Sequence, residues 1–168
     1  MKRSSLIPIG AAPLLVAALA GCGSAGSAYG NNATAASTPP TAAAAAKGRA
    51  LAVHSTSLGK ILVDSKGMTL YYFEKDKKGS GKSACSGACA SAWPPLTTSE
   101  AAKVMGGAQV SQLGTIKRSD GTTQVTYASW PLYTFVEDKK PGEDNGTDSK
   151  AFGASWYPLH PNGEKAGH

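Results

Sequence analysis

From Leu51 onward the large apolar residues come in short runs cut by glycine, without the spacing of an amphipathic helix. Leu51-Ala52-Val53-His54-Ser55, Gly59 to Asp64 and Met68 to Phe73 each read as a strand, being short, rich in β-branched or aromatic residues and bounded by turn residues. Ser65-Lys66-Gly67 supplies a turn with glycine where a positive φ is wanted. Strand side chains alternate faces, so Tyr71 and Phe73 point one way, and Leu70, Tyr72 and Glu74 the other. Ser83 to Trp93 predicts a short helical turn closed by Pro94-Pro95, with Trp93 packed onto the sheet. Thr97 to Gly107 reads as a connector with a further helical turn at 101–105. Gly114 to Arg118, Ser119-Asp120-Gly121 and Thr122 to Tyr127 predict a hairpin with an Asp-Gly turn. Trp130-Pro131-Leu132 leads into one more strand, Lys139 to Lys150 is a polar loop, and Phe152 to Leu159 closes the pattern. The tail from Pro161 is polar and expected to fray.

The pattern occurs twice. Leu70-Tyr71-Tyr72-Phe73-Glu74-Lys75-Asp76 returns as Leu132-Tyr133-Thr134-Phe135-Val136-Glu137-Asp138, each copy followed by a Lys pair and a glycine-containing loop. Trp93-Pro94-Pro95-Leu96 is answered by Trp156-Tyr157-Pro158-Leu159. An internal repeat governs the fold. The expectation is a mainly β chain: two tandem pseudo-symmetric β-meander repeats with short helical turns, at about 51–97 and 113–163. They are expected to pack as one sandwich or barrel-like domain over 47–163, followed by a tail at 164–168. The repeated face, with Tyr71, Phe73, Trp93, Tyr133, Phe135 and Trp156, is the candidate core. A buried tyrosine needs a hydroxyl partner, and Asp76 and Asp138 are placed to accept from those hydroxyls or from loop amides.

The first residues change the picture of where the domain sits. Met1-Lys2-Arg3 precedes an apolar run from Leu6 to Ala20, too brief to span a bilayer permanently, which is the layout of a secretory signal over 1–21. Leu19-Ala20-Gly21-Cys22 resembles the bacterial lipobox. That resemblance implies cleavage before Cys22 and acyl chains on its sulfur and amino group, an anchor of about 0.8 kcal/mol per buried methylene. Residues 22–46, mostly Gly, Ala, Ser, Asn, Thr and Pro after Cys22, offer almost nothing to bury and read as a flexible tether. The expected location is thus the cell membrane, lipid-anchored, on the extracytoplasmic side.

With Lys2 and Arg3 removed, the formal charge of +6 becomes +4. The lysines are scattered and only Arg49 and Arg118 remain as arginines, so the clustered basic face of a nucleic-acid binder is missing. A cell-wall polymer or a surface protein is the partner class left open, beside the membrane itself. Assigning Cys22 to lipid leaves Cys85 and Cys89 as an even pair in an oxidising compartment, where a disulfide is expected.

Candidate chemistry is sparse. Asp138, Glu143, Asp144 and Asp148 with Gly146 form an oxygen-rich loop that suits Ca²⁺, though not at EF-hand spacing. Cys85, Cys89, Met68, Met105, His54 and His160 are the soft or borderline ligands that copper chemistry would use. Trp93, Trp130 and Trp156 offer stacking faces for a sugar, against their use in a core. Asp76 and Asp138 would act as acid and base only if brought within roughly 5–9.5 Å. No nucleophile-elbow, zinc-protease or P-loop pattern occurs. The reading is a non-catalytic binding or structural module with no required cofactor. Its alternatives are a metal-binding or electron-transfer lipoprotein and, behind that, a hydrolase using the paired aspartates.

Taken with the Cys85-Ser86-Gly87-Ala88-Cys89 turn, Trp93-Pro94-Pro95, Trp130-Pro131-Leu132-Tyr133 and the Pro141-Gly142 loop, both Tyr-x-Phe-x-x-Asp copies give the chain a family likeness. It resembles the bacterial predicted lipoproteins carrying a secreted repeat with a Tyr-x-(Phe/Trp/Tyr)-x-x-Asp motif. Glu143 stands where the pattern leads one to expect Asp. The resemblance implies export, a lipid anchor and tandem repeats, and assigns no activity.

Overall fold

The computed structural model describes residues 49–167. The signal at 1–21, Cys22 and the tether at 22–46 lie outside the described residues. Among the described residues, no helix is long and apolar enough to cross a membrane.

Each repeat opens with the hairpin its sequence predicts. β1 (Ala50–Thr56) and β2 (Gly59–Asp64) pair antiparallel, turning between Thr56 and Gly59. β5 (Leu113–Lys117) and β6 (Thr123–Tyr127) do the same around Ser119-Asp120-Gly121. Both hairpins are local, with apolar alternation on the strands and a glycine of positive φ in each turn region (Gly59, φ 89°; Gly121, φ 82°). α1 (Ala88–Ala92) is the short helical turn expected before Trp93.

The third strand departs from the predicted meander. Asp64 Oδ1 accepts the amides of Lys66 and Met68, and Leu70 N–H still reaches Leu62 C=O at 3.0 Å. From Tyr71 the chain leaves its own hairpin, and β3 (Tyr71–Phe73) pairs antiparallel with β8 (Trp156–Pro158) of the other repeat. The predicted Met68–Phe73 strand is therefore regular only over its last three residues. Its second copy is shorter still: β7 (Trp130–Pro131) pairs with β6, and Tyr133 makes only isolated bridges, to Tyr71 and Pro95. Prolines at 94, 95 and 131 lack the amides a longer ladder would need. At the centre Tyr71 and Tyr133 exchange both backbone hydrogen bonds at 2.9 Å.

The helical turn expected at 101–105 is instead β4 (Lys103–Val104), running parallel to β1, with Lys103 N–H on Arg49 C=O and Met105 N–H on Leu51 C=O. The open edge of β1 offered backbone partners that outweigh the weak helical preference of a short segment. The tail does not fray at its start. Gly163 (φ 83°) turns the chain, Lys165 bridges to Leu159, and Ala166 is buried against Ile61 and Val63.

Three small sheets pack together without closing into a barrel. β3 lies between two cores, so both its faces are buried, contrary to the single-face expectation. Tyr72 joins Leu51, Leu62, Leu70 and Leu132 in one core. Tyr71 and Phe73 join Trp93, Tyr133 and Trp156 in the other. Phe135, expected in the core, is half-buried and packs against the second cluster from outside.

Candidate functional site

The repeated residues meet in the second core, where the two halves complete each other. Trp93 and Trp156 stack with centroids 3.9 Å apart and planes 5° off parallel. Phe73 stacks on Trp156 at 4.0 Å and Phe135 on Trp93 at 4.1 Å. Tyr71 stands edge-on to Trp93 and Tyr133 edge-on to Trp156, the T-shaped geometry that sets a ring's positive edge against a negative face.

The tyrosine–aspartate bonds are crossed between repeats. Tyr71 Oη donates to Asp138 Oδ2 and Tyr133 Oη to Asp76 Oδ2, both at 2.8 Å. The second oxygen of each carboxylate holds its own loop: Asp76 Oδ1 accepts Ala84 N–H at 2.6 Å, and Asp138 Oδ1 accepts Asn145 N–H at 3.0 Å. Tyr71 Oη also accepts Gly146 N–H at 3.3 Å, and Tyr133 Oη lies 2.7 Å from the Ser83 hydroxyl. Burial, reinforced by the facing carboxylate, pushes both tyrosines far above their ordinary pKa. Burial also raises Asp76 and Asp138, while the tyrosine and amide donors pull them back down. Asp76 and Asp138 are thus each held by the other repeat's tyrosine and not by one another.

One break in the symmetry sits here. Trp156 Nε1–H donates to Ala151 C=O at 3.0 Å, whereas the buried Trp93 Nε1–H has no partner among the described residues. Gly146 lies flat against that indole, where a Cβ would come within 2.6 Å of Trp93 Cη2.

The other candidate residues are scattered. Asp138 belongs to its clasp, and the Glu143 carboxylate accepts the amides of Lys139 and Lys140, which hold its pKa below the usual range. Asp148 sits on left-handed backbone (φ 60°), and Asp144 C=O accepts Thr147 N–H. Cys85 and Cys89 form a disulfide, Cα–Cα 5.2 Å, so neither presents a thiolate. His160 Nδ1 is 2.7 Å from Lys60 C=O, and Met105 is exposed beside β4. Among the described residues no three His, Cys, Asp or Glu side chains converge as a metal group would require. Trp130 is half-buried on Tyr72 at 4.6 Å, with Lys78 Nζ 5.9 Å from its centroid.

Sequence reasoning passed over Arg118. It follows β5 at the hairpin tip, and its side chain is only 4% exposed. Nη1 donates to Ser83 Oγ (2.9 Å) and Gln124 Oε1 (2.8 Å), Nη2 to Cys85 C=O (2.7 Å), and Nε to Asp120 Oδ2 (3.2 Å). In front of it opens a pocket of about 400 Å³ lined by Lys82, Ser83, Ser86, Lys117, Arg118 and Ser119. Asp120, half in solvent, makes an ion pair with Arg118, and bonds to Thr122 together with the Arg118 contact pull its pKa down to about 2. The signal available beforehand was slight: one of two domain arginines, beside an Asp-Gly turn.

No curated protein and no solved structure matches the chain. The profile of a family described as a secreted repeat of unknown function matches twice, at residues 52–97 and 114–160, one match on each hairpin with the segment that follows it. The chain therefore belongs to that family of secreted repeats, and carries two of them.

Proposed function

We propose that this protein is a non-catalytic binding module, displayed outside the cytoplasm and held to the cell membrane by lipid on Cys22. The observation that carries the reading is the division of labour between repeated and unrepeated residues. The residues common to both repeats are engaged with one another in the interior, Tyr71 with Asp138 and Tyr133 with Asp76. The polar groups left facing solvent around the cavity at Arg118 belong to the Lys82–Ser86 loop and the β5–β6 hairpin end, where the two copies differ. A paired-carboxylate hydrolase draws no support from aspartates whose oxygens are already hydrogen-bonded to tyrosine and amide.

The experiment compares the full chain with its Cys22→Ala variant expressed in a host that processes lipoproteins. The native chain should fractionate with membranes and carry an acyl mass, and the variant should be released. The released variant should then bind purified cell envelope saturably and in a salt-dependent way. Release of both forms alike would remove the anchor, and no saturable envelope binding would remove the binding role.

A further inference from the structure

We propose that the pocket between the Lys82–Ser86 loop and the β5–β6 hairpin tip is a binding site for the phosphate group of an extracellular phosphoester. This rests on the binding-module reading and names the ligand class at its surface.

The charge balance comes first. Lys82, Lys117 and Arg118 line one cavity of about 400 Å³, and no carboxylate is among its lining residues. Asp120 bonds to Arg118 Nε and to Thr122 in its own turn, and lies outside that lining. A cavity with one sign of charge and a low-dielectric wall concentrates counter-ions of the opposite sign.

The second point is preorganisation. Three neutral acceptors, Ser83 Oγ, Gln124 Oε1 and Cys85 C=O, hold the Nη1 and Nη2 side of the Arg118 fork, and its one paired carboxylate, Asp120, is on Nε and half in solvent. Of its five N–H groups, four find acceptors among the described residues, and one Nη2 hydrogen is left over. Ser86 and Ser119 are exposed at the same cavity, adding hydroxyl donors. A tetrahedral oxyanion has enough oxygens to engage a guanidinium edge, two ammonium groups and hydroxyls together. A single carboxylate has only two. A buried, fixed guanidinium loses little entropy when such an ion arrives.

The duplication supplies an internal control. Leu70 N–H bonds Leu62 C=O as Leu132 N–H bonds Val125 C=O, which aligns the two hairpins. The tip residue equivalent to Arg118 is then Thr56, whose hydroxyl only closes its own turn with Gly59 and Leu58. The basic pocket is an addition to the shared fold and not a part of it. None of the exposed large apolar residues (Met105, Val110, Val136, Phe152) lines the cavity, which favours a phosphoester in solution or on a wall polymer over a bilayer surface.

The test uses the full chain carrying Cys22→Ala, titrated with inorganic phosphate and then with glycerol phosphate polymer, read by amide chemical shifts. Shifts should localise to residues 82–86 and 117–120, with affinity for free phosphate of about millimolar order. Lys82→Gln/Lys117→Gln, both exposed and outside the core, should keep the thermal midpoint and weaken binding by about tenfold or more. Arg118→Lys, which keeps the charge and loses the fork, should also weaken it. No localised shifts, or shifts indifferent to the double lysine variant, would overturn the site. Preferential binding to phosphatidylglycerol vesicles over the polymer would overturn the proposed source. If the double variant still binds envelope as the parent does, the phosphate pocket falls and the binding module stands. If phosphate binds at the pocket but envelope never does, the reverse holds.

Discussion

Tyr71 and Tyr133 form the same bond in opposite directions, so their removal should cost alike. Replacing either by Phe strips one donor from a buried carboxylate, and each variant should lose about 1–3 kcal/mol in denaturant unfolding. Asp138→Asn keeps the shape but trades a charged acceptor for an amide. It should lower stability and leave phosphate binding unchanged, since Asp138 faces the other loop. The pH dependence follows from proton retention. Folding holds both phenols neutral well above the ordinary value of about 10, so their contribution is complete below that pH. It is lost as pH rises further, because the unfolded chain then releases protons that the folded chain retains. The denaturation midpoint should drop steeply above pH 10, and Tyr71→Phe/Tyr133→Phe should flatten that drop. Some slope will remain, since burial also pushes Tyr72 up to about 12. The raised aspartates work oppositely from the usual carboxylate, favouring the folded state below their ordinary range and losing that contribution as pH rises. They should not drive acid unfolding.

Among the elements, those that could be read in advance are those whose cause is local. The two hairpins follow from alternation and turn residues within a dozen positions, and the short helix from a run of small residues closed by proline. β3 could not be assigned its partner, because Tyr71–Phe73 carries apolar side chains on both faces and the choice of β8 is made by the other repeat. β4 was hidden for a similar reason, since nothing near Lys103 records the open edge of β1. The loop at Gly146 illustrates how tightly the later elements fit. Its φ is ordinary, so alanine would be tolerated by the backbone, yet its Cβ would meet Trp93 and Tyr71 at 2.6–3.0 Å. Gly146→Ala should cost at least about 1–3 kcal/mol through overpacking. Gly81→Ala, in open space at φ 71°, should cost only the backbone term of about 1–2 kcal/mol. Thermal melts of the pair would separate the two causes.

For the whole molecule, duplication and β content were legible because they are written in spacing, and the aromatic core because its residues recur. The crossed clasps were only half legible. The acceptor role of Asp76 and Asp138 follows from burial, but which tyrosine each would serve is a question of topology. The pocket at Arg118 was hidden because it breaks the repeat, and a repeat directs attention to what is shared. One consequence is testable by cutting the chain at the exposed turn Gly106-Gly107. Fragments 1–106 and 107–168 each lack the tyrosine that closes their own aspartate. Each alone should show no near-ultraviolet tryptophan dichroism, and mixing them should restore it.

The reciprocal bond between the halves gives this chain the interior of a two-fold dimer within a single polypeptide. An unlinked pair of identical protomers must change both mouths whenever it changes one, because the same codon specifies each. Covalent fusion releases that constraint. One mouth is then able to carry an arginine, a longer tip and a cystine that its twin lacks.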